Sequence, residues 1–237
     1  GGQTALNLAG RLAARQIPVL GTTPDRIDLG LGRAPGTDGR TSYALQRDRS
    51  RRMPVDDFPQ NLAEVLAYLG DGLPEDHPFA PLKDTLPSGG GVIEPWLLGS
   101  SIESAAWAAE VGLPYCIADF INSDGLPQAE LYKRHFRPSR WLEKPYLMVA
   151  SWAIAAPTRA EAERLALPAR MMFHHLVCGE LIPVPSVEKA ERWAATVPDA
   201  PQRNRRSILG SPAEAKAEID AVAASYGADE MMRSEEH

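Results

Sequence analysis

The sequence has little cysteine, no long apolar run and no surplus of positive charge. Two cysteines, Cys116 and Cys178, stand among 237 residues. That is too few for a disulfide framework or a thiolate zinc site. Each thiol lies in an apolar segment, so both are expected to be buried, in a reducing compartment. No stretch approaches the roughly 20 apolar residues that span a bilayer. No signal-peptide pattern appears. The expectation is a cytoplasmic chain without a membrane partner. A net charge of −6 argues against a nucleic-acid partner, whose phosphates require a basic face. No metal is expected. His174 and His175 are adjacent, and neighbours on a helix point about 100° apart, so they read as core-edge or surface residues. The chain starts at GGQT without an initiator methionine and stops at EEH, and both ends read as cut or incompletely recorded.

What is present suits a globular α/β protein. Apolar residues make up 44% and charged residues 24%, ordinary values for such a chain. Helical spacing over 4–15 leads to a short apolar strand at 17–22 and a second strand at 28–32. A polar loop fills 34–56, including the arginine-rich stretch 47–53, which reads as a solvated loop or a partner to nearby acids. A helix follows at 57–70, capped by Asp56 or Asp57 and closed by Gly70. The proline-rich segment 71–93 reads as irregular. Then come a strand at 94–99, a helix at 101–112, a strand at 114–120, a helix at 126–137 and a long strand at 145–156. The helix from Thr158 to Gly179 is expected to break or kink at Pro168. Residues 180–206 read as a second irregular excursion. A helix at 211–227, with Ser211 as N-cap and Pro212 in its first turn, and a strand at 228–232 complete the list. Continuous apolar strands alternating with helices predict a parallel sheet covered on both faces. About six strands are legible, and a closed (β/α)8 barrel needs eight.

Two strand exits carry the candidate chemistry. Gly30-Leu31-Gly32 ends in Arg33, and Leu98-Gly99 runs into Ser100 and Ser101 at a helix start. In a parallel sheet the C-terminal strand ends share one face, where ligands bind. A helix start offers free N–H groups and the positive end of a dipole. With the two serine hydroxyls, Arg33, and Arg40 from the following loop, such a place could hold a phosphate monoester. The plainer alternative is that serine is the commonest N-cap and glycine only makes the turn. The lone GLG is no dinucleotide fingerprint, because no third glycine opens a helix at the required offset. Asp119 ends the strand CIAD, which puts it at the expected ligand face as a candidate catalytic acid or base. Trp96, Trp107 and Trp152 fall in apolar patterns and read as core.

The blocks RIDLGLGRAPGTDGRT, PWLLGSSIESAAWAAEVGLPYCIADF, KPYLMVASWAIAAPTRAEAERL and ILGSPAEAKAEIDAVAASYGADEMM resemble, in order, the luciferase-like flavin-dependent monooxygenases. The resemblance covers about residues 25–232. It implies a TIM-barrel-like fold that binds reduced FMN, or in some relatives the deazaflavin F420, and uses oxygen to oxidise a small organic substrate. It also implies that Arg33, Arg40, Ser100 and the adjacent Ser101 meet the flavin phosphate, and that the strand end at Ala118 and Asp119 faces the flavin ring. A homodimer is expected, and no residue matches the family's catalytic histidine.

Residues 1–28 resemble instead a piece of the carbamoyl phosphate synthase large subunit, without its ATP-binding part. The expected fold is therefore an incomplete or rearranged (β/α)8 TIM-barrel-like fold with parallel strands. It would form a single α/β domain over 1–237, with 1–28 as a grafted helix–strand segment. The expected function is flavin-dependent oxidation, truncated and impaired. The alternative is a non-catalytic chimeric or remnant α/β chain that binds no flavin.

Overall fold

A computed structural model describes residues 28–33, 43–44, 57–85, 93–197 and 205–234. The expected helix at 4–15, the strand at 17–22, the grafted segment and Arg40 lie outside these residues. The chain divides into two compact units, Gly1–Leu97 and Leu98–His237.

In the first unit, β1 (Asp28–Leu31) lies parallel to the start of β2 (Glu94–Gly99), with Asp28 opposite Glu94 and Leu31 opposite Leu97. Helix α1 (Phe58–Leu69) buries Leu62 and Val65. Asp57 holds its N-cap position but makes no side-chain capping bond. Two local readings need correction. Tyr43 and Ala44 are helical inside the expected loop. Ala80–Thr85 forms a 3-10 helix inside the segment read as irregular. The Tyr68 hydroxyl donates to the Phe79 carbonyl at 2.9 Å and ties that segment back to α1.

The second unit repeats strand and helix. Its elements are α2 (Ile102–Val111), β3 (Tyr115–Ala118), α3 (Leu126–His135), β4 (Leu147–Ala155), α4 (Arg159–Leu165), α5 (Leu167–Val177), α6 (Val187–Thr196), β5 (Ser207–Gly210), α7 (Pro212–Tyr226) and β6 (Glu230–Ser234). Every pairing is parallel: Tyr115 opposite Leu147, Met148 opposite Glu230, Trp152 opposite Ser207. Residues 147–153 of β4 are buried, as a strand covered on both faces requires. Pro168 splits the long helix as expected. Helix α4 stops at Leu165 and α5 starts at Leu167, with the proline in its first turn, where a missing N–H costs nothing. Two elements lie in or beside the second excursion that the sequence reading left irregular. They are α6, capped by the Ser186 hydroxyl, and β5.

The fold class is thus α/β, with parallel strands in the strand–helix order of a TIM-barrel-like fold. Among the described residues there are six strands, where a closed (β/α)8 barrel has eight.

Candidate functional site

The serine turn between β2 and α2 belongs to the second unit. Ser101 is the N-cap of α2 and closes a capping box with Ser104. The Ser104 N–H donates to Ser101 Oγ, and the Ser101 N–H donates to Ser104 Oγ, each at 3.3 Å. Ser104 Oγ donates in turn to the Ser101 carbonyl at 2.7 Å. Beneath the box lies the fully buried Tyr115 of β3. Its hydroxyl is 2.9 Å from Ser104 Oγ and 3.3 Å from the Gly99 carbonyl. The proton of Ser104 is already placed, so Tyr115 donates. Burial pushes the Tyr115 pKa up to about 12, and the phenol remains a donor at any ordinary pH. A side chain at position 99 would run into the Ser104 hydroxyl, so the box can form only under glycine.

This arrangement uses some of the donors that spacing alone left open. The Ser101 and Ser104 N–H groups are consumed within the box. What remains to face a ligand is the Ser100 hydroxyl and the proton of the Ser101 hydroxyl. Both serines are half-buried.

A residue without any sequence signal completes the turn. Gln128, on α3, is 6% exposed. Its Nε2 donates to the Ser100 carbonyl at 3.1 Å. Its Oε1 is buried and has no hydrogen-bond partner.

Arg33 follows β1 in the first unit and is exposed in a bend. Ala118 and Asp119 close β3 in the second unit, and both are fully buried. The Asp119 carboxylate is engaged on both oxygens. The Tyr226 hydroxyl donates to Oδ1 and the Ser151 hydroxyl donates to Oδ2, each at 2.9 Å. Arg206 Nε stands 3.3 Å from Oδ2. That is an ion pair whose angle makes no hydrogen bond, since Nε is otherwise unpartnered. Burial, and then Asp119 itself, push the Tyr226 pKa up to about 12.

Comparison with known proteins gives these blocks a family. No family model matches the chain. It is 37% identical, over 98% of its length, to the luciferase-like monooxygenase of Escherichia coli K12, of which it covers 69%. It is 30% identical to an N-acetyl-S-alkylcysteine monooxygenase of Bacillus subtilis over 88% of its length, covering 63% of that protein. Among solved structures, apo-MsnO8 superposes with a TM-score of 0.72 at 28% identity, over 98% of this chain and 66% of that one. The chain belongs to the luciferase-like monooxygenase family.

This luciferase-like chain spans about two thirds of the length of the relatives it matches. The match with the Escherichia coli protein is wider than the 25–232 span legible in the motifs. The remaining candidates fall into place around it. Cys116 is buried, but Cys178 is exposed, against expectation. It is the C-cap of α5, and the two apolar residues before it, Leu176 and Val177, are exposed as well. His175 Nδ1 lies 2.7 Å from the Glu180 carboxylate. His174 packs its ring at 5.4 Å from that of Trp193. Both histidines are half-buried. Among the described residues, no group of three His, Cys, Asp or Glu side chains could hold a metal. Trp96 and Trp152 are core residues, while Trp107 is half-buried. No helix among the described residues is long and apolar enough to cross a membrane.

Proposed function

We propose that this chain is a flavin-dependent oxidoreductase of the monooxygenase type, acting on a small organic substrate with reduced FMN and oxygen. The observation that carries the reading is the serine turn. Two hydroxyl donors stand at the start of a ten-residue helix, over a closed capping box. A phosphate ester matches that set of atoms, because the serines and the helix dipole favour the dianion. The bound reduced flavin would supply the two electrons that let one oxygen atom of O2 enter the substrate while the other leaves as water. F420 also carries a phosphate, as a singly charged diester, and the choice between the two cofactors follows from the titration below.

The protein's own part is to bind, orient and exclude water. Ser100 and Ser101 hold the phosphate, and Tyr115 and Ser104 keep their turn in place. Arg33 and Arg40 are assigned as the cations for that phosphate on the resemblance alone. Ala118 and Asp119 form the strand end beneath the ring. The Asp119 carboxylate is occupied by Tyr226, Ser151 and Arg206, so its role is to hold that end, and no catalytic residue is assigned. The reading treats the whole chain as one α/β domain acting as a cytoplasmic homodimer.

The test is a titration of the purified chain with FMN and with F420, followed by fluorescence quenching. Saturable binding is expected. Losing one charge-assisted phosphate contact in Arg33→Ala costs about 1.5–3 kcal/mol, or about ten- to hundredfold in Kd. Ser100→Ala, which removes a neutral donor, costs about threefold to tenfold. Absence of saturable binding at about millimolar cofactor rejects the proposal and leaves a non-catalytic α/β chain.

A further inference from the structure

Within the second unit, helix α7 packs on β4, β5 and β6. Ser151 and Ala153 lie two positions apart, so they share one face of β4. Both are small, and the larger side chains around them do not close the space. A cavity of about 40 Å³ remains, lined by Ser151, Ala153, Ile208 of β5, Ile219 of α7, and Met231 and Met232 of β6. Ile208 is fully buried, Ile219 and Met231 are half-buried, and Met232 is 48% exposed. The cavity thus runs from the sheet toward solvent beside Met232. Its lining decides what fits. A water needs roughly 10–15 Å³, but an ordered one also needs two to four polar partners. Ser151 is the single polar side chain of the lining. Its hydroxyl proton is directed at Asp119 Oδ2, 2.9 Å away. The other walls are aliphatic carbon and methionine sulfur, which hold a polarisable molecule by dispersion. Small dry cavities of this chemistry take up xenon. The occupant that fits is an uncharged apolar molecule of very few atoms.

We infer that this cavity is a dioxygen site from which the gas reaches the end of β3. Ser151 makes the connection, because its hydroxyl stands on the cavity wall and touches the carboxylate of Asp119. The inference deepens the oxidation proposed above and rests on it for the identity of the gas. The affinity for an apolar molecule of this size rests on the walls alone.

The experiment uses the paramagnetism of dioxygen and the chain's own methionines. The protein is labelled with 13C at the methionine methyls, and their relaxation is compared under nitrogen and under oxygen. Met231 reports on the cavity. Met172, half-buried like Met231, and Met148, 3% exposed, lie outside it and serve as references. Roughly ten dispersion contacts to the wall are expected to enrich dioxygen beside Met231 by about fivefold over the references. Ala153→Val fills the cavity from the strand and should abolish that excess. Ile219→Phe fills it from the helix and replaces the first variant should that one not fold. The filled protein should keep the wild-type Kd for FMN, while its bound reduced FMN is reoxidised by oxygen about fivefold more slowly. A Met231 enhancement no greater than those of Met172 and Met148 would overturn the inference, a result that needs neither flavin nor variant. Equal reoxidation rates in the wild type and the filled protein would overturn it as well. A wild type that binds no FMN rejects the flavin proposal instead, and the methyl comparison still decides whether the cavity takes the gas.

Discussion

Asp119 is withdrawn from water, yet three partners from three parts of the second unit converge on it: Ser151 on β4, Tyr226 on α7 and Arg206 just before β5. Tyr226 has one proton and two nearby acceptors, Asp119 Oδ1 at 2.9 Å and the Ser123 carbonyl at 3.0 Å. The charged oxygen wins it, since hydrogen bonds to ionised acceptors are the stronger ones. The same hydroxyl accepts from the buried Gly125 N–H at 3.2 Å, at the start of α3. Tyr226→Phe therefore strands a buried acceptor and a buried donor at once. It should destabilise the protein by about 1–3 kcal/mol, read from the urea midpoint at neutral pH. A shift within error would mean that water replaces the hydroxyl. The strand end at Asp119 was legible in the sequence, but its partners were not. They lie 32, 87 and 107 positions away along the chain, and no local pattern announces them. Gln128 was equally silent, because a glutamine in the first turn of a helix usually faces solvent.

At the scale of elements, the sequence spoke where caps and breakers punctuate it. Ser101 and Gly112 bound α2, Thr158 caps α4, and Ser211, Pro212 and Gly227 bound α7. It fell silent where a short element draws its stability from its neighbours. β5 has four residues after two arginines, and its partner is the far half of β4. α6 follows prolines and carries five charged or polar residues among its ten, so its apolar face is narrow. It is held by packing and by the Arg164–Glu191 contact at 2.7 Å. Two helix-ending glycines make a paired test. Gly112 (φ +68) and Gly179 (φ +82) both use the left-handed region. A Cβ at Gly112 would collide with the Arg137 carbonyl and with Ser139, whereas one at Gly179 meets nothing within 4 Å. Gly179→Ala should cost about 1 kcal/mol, the conformational penalty alone. Gly112→Ala should cost at least about 2 kcal/mol more, because a backbone carbonyl must move. Thermal melts of the two variants give the comparison, and equal losses would refute the steric part of the argument.

At the scale of the whole molecule, the core is stocked with weak acids that must stay neutral. Burial lifts Cys116 from 9.0 to about 12, and Tyr115 and Tyr226 from 10.0 to about 12. Tyr132 moves upward for the same reason. In the unfolded chain these groups lose their protons near their ordinary values, while the folded chain retains them. Between those two limits the unfolded state binds fewer protons, so stability falls as pH rises. The contribution is fully present below about pH 9, begins to fade as Cys116 would ionise, steepens above about pH 10 as the tyrosines join, and levels off above the folded values. Each group contributes a slope of about 1.4 kcal/mol per pH unit inside its window. The expected outcome is a urea midpoint that is steady between about pH 7 and pH 9 and drops sharply by about pH 11. Cys116→Ala should delay the onset by about one pH unit and leave the tyrosine-driven fall beyond it. A midpoint that stays level to about pH 11 would mean that the phenols ionise alike in both states, and that β3 and the start of α2 are open to water rather than sealed beneath the serine turn.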